Sequence, residues 1–510
     1  MQPRFRVVVL GMTLLFTCSL VGWLHPPSSS AAAPSELKEL VLKYQDAKKE
    51  WKKWKSSRGR PGGGGRGAGG PGRAGRRGRE DRPRLQPILE EIARLDTKAS
   101  LRFLAAEYRD PDPEIASMCA VAILESDLDS AAKTVVRGFG RGGRWTLGAK
   151  ARVLDASVES GKEDGVAFVV KMASKGKLET RALAIVSLRM RPDDEKILEV
   201  LLEALEHRAP QVRSAALRAI AAFRDKKVVG DLIERIDDEK DEQLRTDVLR
   251  LLVRLTGKNM GLVSADWKKW WDAAEPTFAF DEEPSGKTVS ITPDLTYFGI
   301  EVASRKVSFL IDASRSMDGG PGGRDGPGGG RRGPRRGGGR AGGGGPGGGG
   351  GPGGGGPGGG GGVGGRETKL DVLKKELSRI LEKLPETSLI NIIYFHRVSI
   401  AWKKELHSLK GRGRDEAIRF VRGLTTKFGT NLYDTLELAL KDRRVDTIFL
   451  LSDGVPFGGK FTDTDDVLRE IGAINRVRGA KIHCISFGRE TRLLKELAAQ
   501  NGGDYRAADR

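Results

Sequence analysis

The stretch Val307-Ser308-Phe309-Leu310-Ile311-Asp312-Ala313-Ser314-Arg315-Ser316-Met317 decides how the second half of the chain folds. A short apolar run rich in β-branched residues empties directly into a D-x-S-x-S loop, so a buried strand ends at a cluster of oxygen donors. Runs of the same kind recur at Leu389 to Phe395, Val398 to Trp402, Thr447 to Leu451 and Lys481 to Phe487. Between and after them lie helical patterns at Leu370 to Leu384, Asp415 to Val421, Leu432 to Leu440, Val467 to Val477 and Leu493 to Ala499. Strand and helix in alternation predict an α/β doubly wound parallel sheet with helices on both faces.

Two further segments belong with the D-x-S-x-S loop. Gly429-Thr430-Asn431 opens a helix, and the run Thr447 to Leu451 ends in Ser452-Asp453-Gly454. Together these resemble the von Willebrand factor A-type (vWA) domain, Rossmann-like in fold, and its metal-ion-dependent adhesion site. The resemblance covers residues 300–510 apart from a glycine tract at 319–365, and the terminal stretch Leu494 to Tyr505 fits that family's last helix and strand. It implies a metal shell of Asp312, Ser314, Ser316, Thr430 and Asp453.

The donor chemistry agrees with that implication. Five oxygen donors without nitrogen or sulfur suit a hard divalent cation, Mg2+ first and Mn2+ or Ca2+ as alternatives, and two carboxylates balance its charge. Fewer than six protein ligands leave room for water or a visitor, which the resemblance makes an acidic residue of a partner protein. Donors at the carboxyl ends of adjoining strands where the sheet order reverses occupy the expected ligand crevice. Arg315 stands where the family often has glycine; beside a metal it favours an acidic partner, or it points to solvent.

The first half reads differently. From Leu85 to about Trp271 the chain is helix after helix, with Ala, Leu and Val stripes. Arg181, Arg213 and Arg245 are spaced by 32, each followed at plus four and plus seven by apolar residues. Ile197, Leu198, Leu201, Leu202 and Leu205 reappear as Val228, Val229, Leu232, Ile233 and Ile236. Two helices per ~30–40 residues are the signature of an α-solenoid. Ala209 to Leu217 resembles the first helix of a HEAT-type repeat, so residues 85–275 are expected to hold four or five HEAT-like repeats, closed by Trp267, Trp270 and Trp271. Residues 276–299 are expected to be a linker.

Before the solenoid, Leu37, Leu40, Tyr44, Ala47, Trp51 and Trp54 form one helical stripe over 35–55, an amphipathic helix suited to docking on its own chain, or else on a partner or membrane surface. Residues 1–33, with Arg4 and Arg6 before the apolar run Val7 to Leu24, have the order of a secretory signal peptide, or of an uncleaved single-pass anchor. The expected localisation is therefore exported: periplasm, cell surface or secreted. Beyond that helix, membrane contact is expected only through this N-terminal segment, if it is uncleaved.

Composition looks unusual until it is located. Of 510 residues 70 are Gly and the net charge is +20, yet the tracts at 56–84 and 319–365 hold 43 of those glycines and +12 of the charge. Neither tract keeps a strict Gly-X-Y period, which excludes collagen. They read as a disordered Gly/Arg-rich linker and a disordered Gly-rich insert; the insert leaves from the metal face, and its 47 residues have an r.m.s. span of roughly 40 Å as a random coil. Spacer is the simpler role, and recruitment of anionic polymers the functional one. The solenoid region 85–286 has 32 bases against 36 acids, and the tracts lack aromatics to stack on bases, so nucleic acid is not an expected partner.

No catalytic constellation emerges. The five histidines show no H-E-x-x-H spacing, there is no G-x-S-x-G elbow, and Gly286-Lys287-Thr288 lacks the first glycine of a phosphate loop, Asp281 standing there. His396 and His483 fall at strand positions and read as packed; Cys119 and Cys484 read as buried free thiols. The sequence thus predicts an exported, non-enzymatic binding protein. The alternatives are a structural scaffold with an unused metal site, or an accessory subunit of an envelope enzyme complex.

Overall fold

The computed structural model describes residues 33–58, 83–140, 145–280, 295–319, 367–453, 455–488 and 490–508. The signal or anchor segment, most of the 56–84 tract, the 319–365 insert beyond Gly319 and part of the 276–299 linker lie outside the described residues. Among the described residues no helix is long and apolar enough to cross a membrane.

Helix α1 (Ala33–Arg58) lies along the start of the helical stack. Its stripe buries Leu40, Tyr44 and Trp51. Tyr44 donates to Glu107 at 2.7 Å, Lys48 meets Glu107 and Asp110, Trp51 Nε1 donates to Asp112 at 3.1 Å, and Lys55 pairs with Asp112 at 2.7 Å. The aromatic stripe is spent on this chain's own core, with lysine ammonium groups reaching carboxylates at its edge.

Six helix pairs follow: α2 (Leu85–Arg94) and α3 (Lys98–Glu107), α4 (Pro113–Glu125) and α5 (Ser130–Gly138), α6 (Leu147–Glu159) and α7 (Glu163–Lys175), α8 (Leu178–Leu188) and α9 (Glu195–Leu205), α10 (Pro210–Ile220) and α11 (Lys226–Asp238), α12 (Glu242–Thr256) and α13 (Ser264–Ala274). The starts are written in the sequence: Asp112, Asp194, Asp225 and Asp241 each accept first-turn N–H groups, and Pro113 and Pro210 stand where no intrahelical N–H is needed. First helices stack on first helices and second on second, giving two layers around a continuous apolar core. The count exceeds the expected four or five. α4 is buried nearly all round, from Ile115 to Leu124, so its stripe has no phase to read, and α2 and α3 have only 10 residues each. Arg213 forks onto Glu239 at 2.8 and 2.7 Å, and its third donor reaches the His207 carbonyl. Trp267, Trp270, Trp271, Phe278 and Phe280 form an aromatic chain that closes the array.

The 276–299 linker is therefore shorter than expected. Phe278 and Phe280 still belong to the array's end, and Thr296–Tyr297 (β1) pairs with Ile300–Glu301 (β2) through a turn with positive φ at Phe298 and Gly299. Tyr297 packs between Phe309 and Phe449, so the α/β domain begins near Leu295. Strands of two residues are too short for any alternation to register in sequence.

The main sheet comprises β3 (Lys306–Asp312), β4 (Leu389–Phe395), β5 (Ser399–Ala401), β6 (His407–Ser408), β7 (Thr447–Ser452), β8 (Lys481–Ser486) and β9 (Tyr505–Ala507). Its order is β5-β4-β3-β7-β8-β9, with β6 also on β4. β4, β3, β7, β8 and β9 run parallel, but β5 and β6 are antiparallel to β4, so the sheet is mixed at that edge. Helices α14 (Lys369–Lys383) and α15 (Gly413–Arg422) cover one face, and α16 (Leu432–Lys441), α17 (Thr464–Arg478) and α18 (Arg492–Gln500) the other. From β3 the chain moves to β4 on one side and later to β7 on the other, so the winding reverses at β3. The ends of the glycine tract are pinned together there: Lys369 N donates to the Gly319 carbonyl at 3.0 Å.

The solenoid grips this domain along α17, which packs on α6, α8 and α10. Arg476 makes two 2.9 Å bonds to Asp155, Arg469 reaches Glu114 at 2.9 Å, and Arg218 donates to the Asn475 and Arg476 carbonyls at 3.3 and 2.8 Å. A second set joins the amino ends of β3 and β8 to α12: Lys481 with Asp247, and Lys306 with Asp241 at 3.7 Å. α17 ends at Gly479, whose φ of +78° places a would-be Cβ 2.5 Å from Ser214 Oγ of the solenoid. Gly479→Ala should therefore lower stability by about 1–3 kcal/mol through left-handed strain and the interdomain clash together, read as a lower urea midpoint; an unchanged midpoint would count against this docking.

Candidate metal-ion site

Every residue of β3 from Val307 to Asp312 is buried, and the parallel register sets Ile311 beside Leu451. β3 and β7 therefore end together, and the loops leaving the two strands meet at one spot. Asp312 is fully buried; one carboxylate oxygen accepts from Ser314 N at 2.8 Å and the other from the Ser452 hydroxyl. The chain then turns through a single 3-10 turn, Arg315–Asp318. Ser314 Oγ and Ser316 Oγ are 2.8 Å apart, and Ser316 Oγ donates to Asp453 Oδ1 at 2.6 Å. Four of the five expected donor residues thus form one connected chain, joined by the Ser314 amide, two hydroxyls and the two carboxylates.

Thr430 is brought to the same face by a loop knitted to that chain. Lys427 N donates to the Ala313 carbonyl at 2.8 Å, Asn431 N to the His396 carbonyl at 2.7 Å, and Thr430 exchanges backbone hydrogen bonds with Phe457 at 3.0 and 2.8 Å. Gly429 is required here, because at φ +106° a Cβ would lie 2.9 Å from the Arg397 backbone. Thr430 is itself buried, and among the described residues no hydrogen bond joins its hydroxyl to the other four donors.

Sequence reasoning missed two participants. Ser452 holds Asp312, and Lys369, almost completely buried, places its ammonium 2.8 Å from Asp453 Oδ2. Ser452 was visible as the residue before Asp453. Lys369 is separated from the loop by the whole glycine tract, and its only signal is its place as the first residue of the helix after that tract.

Burial, aided by the nearby Asp453 charge, pushes the Asp312 carboxyl up to about 6, against hydrogen bonds from Ser452 and Ser314 that favour its ionised form. Two carboxylates side by side at the end of an apolar sheet call for positive charge. The residues fit a hard cation: the donors are all oxygen, and a buried ammonium already stands against one carboxylate. Among the described residues no cluster of three or more His, Cys, Asp or Glu side chains forms an alternative metal site.

Other singled-out residues fall elsewhere. Arg315 is exposed at the rim. His396 is buried with neither ring nitrogen hydrogen-bonded among the described residues, and burial, then Lys427, pulls its imidazole below the ordinary range. His483 stacks on Phe449 and accepts from Asp504 N. Cys119 and Cys484 are buried free thiols.

Residues 364–507 match the von Willebrand factor type A domain, and residues 166–253 match HEAT repeats. The first match begins after the D-x-S-x-S loop, so it includes Thr430 and Asp453 but not Asp312, Ser314 or Ser316. Human von Willebrand factor A domain-containing protein 3B is 28% identical over 144 residues, 27% of this chain and 11% of that protein. The chain therefore spans about a tenth of that relative's length. Similar solved structures include a mutant of the PilB minor pilin from Streptococcus sanguinis (15% identity, 40% of this chain and 57% of that one, TM-score 0.28) and BatB from Bacteroides thetaiotaomicron (13% identity, 40% and 90%, TM-score 0.26). The chain carries a HEAT-repeat array followed by a von Willebrand factor type A domain, two modules of protein–protein interaction.

Because the folded-state value of Asp312 is raised above the unfolded one, its contribution to stability is fully present at low pH and is lost as pH rises through about 6. In chelator, the advantage of Asp312→Asn over wild type should grow between pH 4 and pH 6 by on the order of 2–3 kcal/mol and then level off, as read from urea unfolding. Parallel pH profiles for the two proteins would contradict the burial described here.

Proposed function

We propose that the chain is an exported, non-enzymatic scaffold whose A-type domain binds an acidic residue of a partner protein through a divalent cation, Mg2+ first, held by Asp312, Ser314, Ser316, Thr430 and Asp453. The observation that carries this reading is the connected donor chain from Asp312 through Ser314 and Ser316 to Asp453 at the carboxyl ends of β3 and β7. The cation would supply a positive centre able to bridge the protein's oxygens and a visiting carboxylate. The N-terminal charge and apolar pattern supports export.

The architecture supports an outward-facing role for this site. Among the described residues no hydrogen bond or ion pair joins 312–316, 427–431 or 453 to the solenoid. Around the site stand exposed apolar side chains: Phe428 and Phe457 pack edge to face at 5.3 Å, and Val455 is 66% exposed. A partner would thus meet a cation, the Arg315 guanidinium and an aromatic ledge together, which favours an acidic residue beside an apolar one. The solenoid, gripping α17 and the amino ends of the strands, holds that face away from itself.

Affinity capture from native envelope extracts, run with Mg2+ and with chelator, tests the reading. A partner recovered with Mg2+, lost with chelator and lost in Asp312→Ala is expected; capture indifferent to both would overturn metal-dependent binding. Lys369→Gln removes a positive charge 2.8 Å from a ligand carboxylate and should tighten Mg2+ binding at least about tenfold by calorimetry. Unchanged or weaker binding would show that the ammonium does not share the cation's place.

A further inference from the structure

Of the seven large apolar side chains exposed among the described residues, four stand on the loops at the carboxyl ends of the sheet: Val398, Phe428, Val455 and Phe457. Apolar groups gathered at one place on a surface mark where another molecule is met. Two of them adjoin a metal-site donor. Phe457 stands opposite Thr430 across an isolated antiparallel bridge and exchanges both backbone hydrogen bonds with it, at 3.0 and 2.8 Å. Residues paired in this way carry their side chains on one face, with Cβ atoms about 5 Å apart. Phe428 extends the same surface, its ring edge to face with Phe457 at 5.3 Å.

The charge on these loops is predominantly positive. Residues 313–319, 396–398, 425–431 and 455–461 carry Arg315, Arg397, Lys427 and Lys460 against one carboxylate, Asp318, which accepts from Thr426 Oγ1 at 2.8 Å. The next carboxylate along the chain, Asp434, is held by the Asn431 side-chain amide at 2.9 Å and by Lys460 N at 3.1 Å. All four bases are exposed, and none forms an ion pair among the described residues. A divalent cation would balance Asp312 and Asp453 and leave the rim positive. Such a face is complementary to a segment with more than one acidic residue.

Spacing narrows the partner further. A carboxylate on the cation beside Thr430 and an apolar side chain on the Phe457 and Phe428 rings must leave their own chain on one face and a short distance apart. In an extended segment neighbouring residues point to opposite faces, and residues two apart leave the same face roughly 7 Å from each other. We propose that this face recognises an extended acidic segment of a partner protein in which an acidic and an apolar residue stand two positions apart, the acid on the cation and the apolar side chain on Phe457 and Phe428. The proposal rests on the metal reading of the site and adds a second anchor to it. Lys427, Arg397 and Lys460 draw the flanking acids.

Fluorescence anisotropy of the full chain in Mg2+, with labelled peptides of one Gly/Ser frame, tests the proposal. The frame carries Asp-Gly-Phe, Phe-Gly-Asp, Asp-Phe-Gly, Asp-Gly-Ser or Asn-Gly-Phe. The tighter of Asp-Gly-Phe and Phe-Gly-Asp is expected to bind at least tenfold more tightly than each of the other three. Phe457→Ser and Phe428→Ser should each erase that preference while calorimetric Mg2+ affinity stays unchanged, because Phe457 meets Thr430 through the backbone. With Mg2+ bound, no peptide binding, Asp-Phe-Gly, Asp-Gly-Ser or Asn-Gly-Phe binding as tightly as the favoured peptide, or a preference intact in both variants would overturn the two-anchor segment and leave the metal reading standing. Wild-type protein that binds no Mg2+ would overturn both.

Discussion

The parallel register of β3 with β7 governs the chemistry of the α/β domain. With Ile311 set against Leu451, both strands terminate at one level, and Asp312 and Asp453 emerge together from an interior of Phe, Leu and Ile side chains. Carboxylates in that position cannot stay ionised without hydrogen-bond donors or a cation. The structure answers with Ser452 and the Ser314 amide on Asp312, and with Ser316 and the Lys369 ammonium on Asp453. The loop at 427–431 folds over the same end because its backbone partners, Ala313 and His396, directly follow β3 and β4, and Phe457 joins it through backbone hydrogen bonds with Thr430.

Fixing the donors at the carboxyl ends also decides where the solenoid can hold the domain. Its salt bridges go to the opposite ends, Lys306 and Lys481, and to the flank of α17. That contact buries Ala473 and Val477 of α17 in the solenoid's apolar core and adds ion pairs, with Arg218 satisfying the last turn of α17 in place of solvent.

Strands and helices of the α/β domain were legible because short β-branched runs alternate with amphipathic stretches, and the D-x-S-x-S loop followed β3 without interruption. The solenoid's later repeats were legible from the spacing of Arg181, Arg213 and Arg245. The earlier ones blurred where α4 is buried nearly all round. Lys369 escaped notice because the glycine tract separates it from the loop it serves, even though Gly319 and Lys369 are hydrogen-bonded in the fold. Arg218 gave no signal at all: it is one arginine on a helix, and its place against α17 is set by tertiary packing that leaves no local period.

The central claim is that the ends of β3 and β7 bind a divalent cation. Paramagnetic broadening by Mn2+ in amide spectra of the full chain tests it most directly. Broadening centred on Ser314, Ser316, Thr430 and Asp453, sparing Lys306 and Lys481 at the other ends of the strands and abolished in Asp312→Ala, is the predicted result. Saturable Mn2+ binding centred elsewhere, or none at all, would contradict the account.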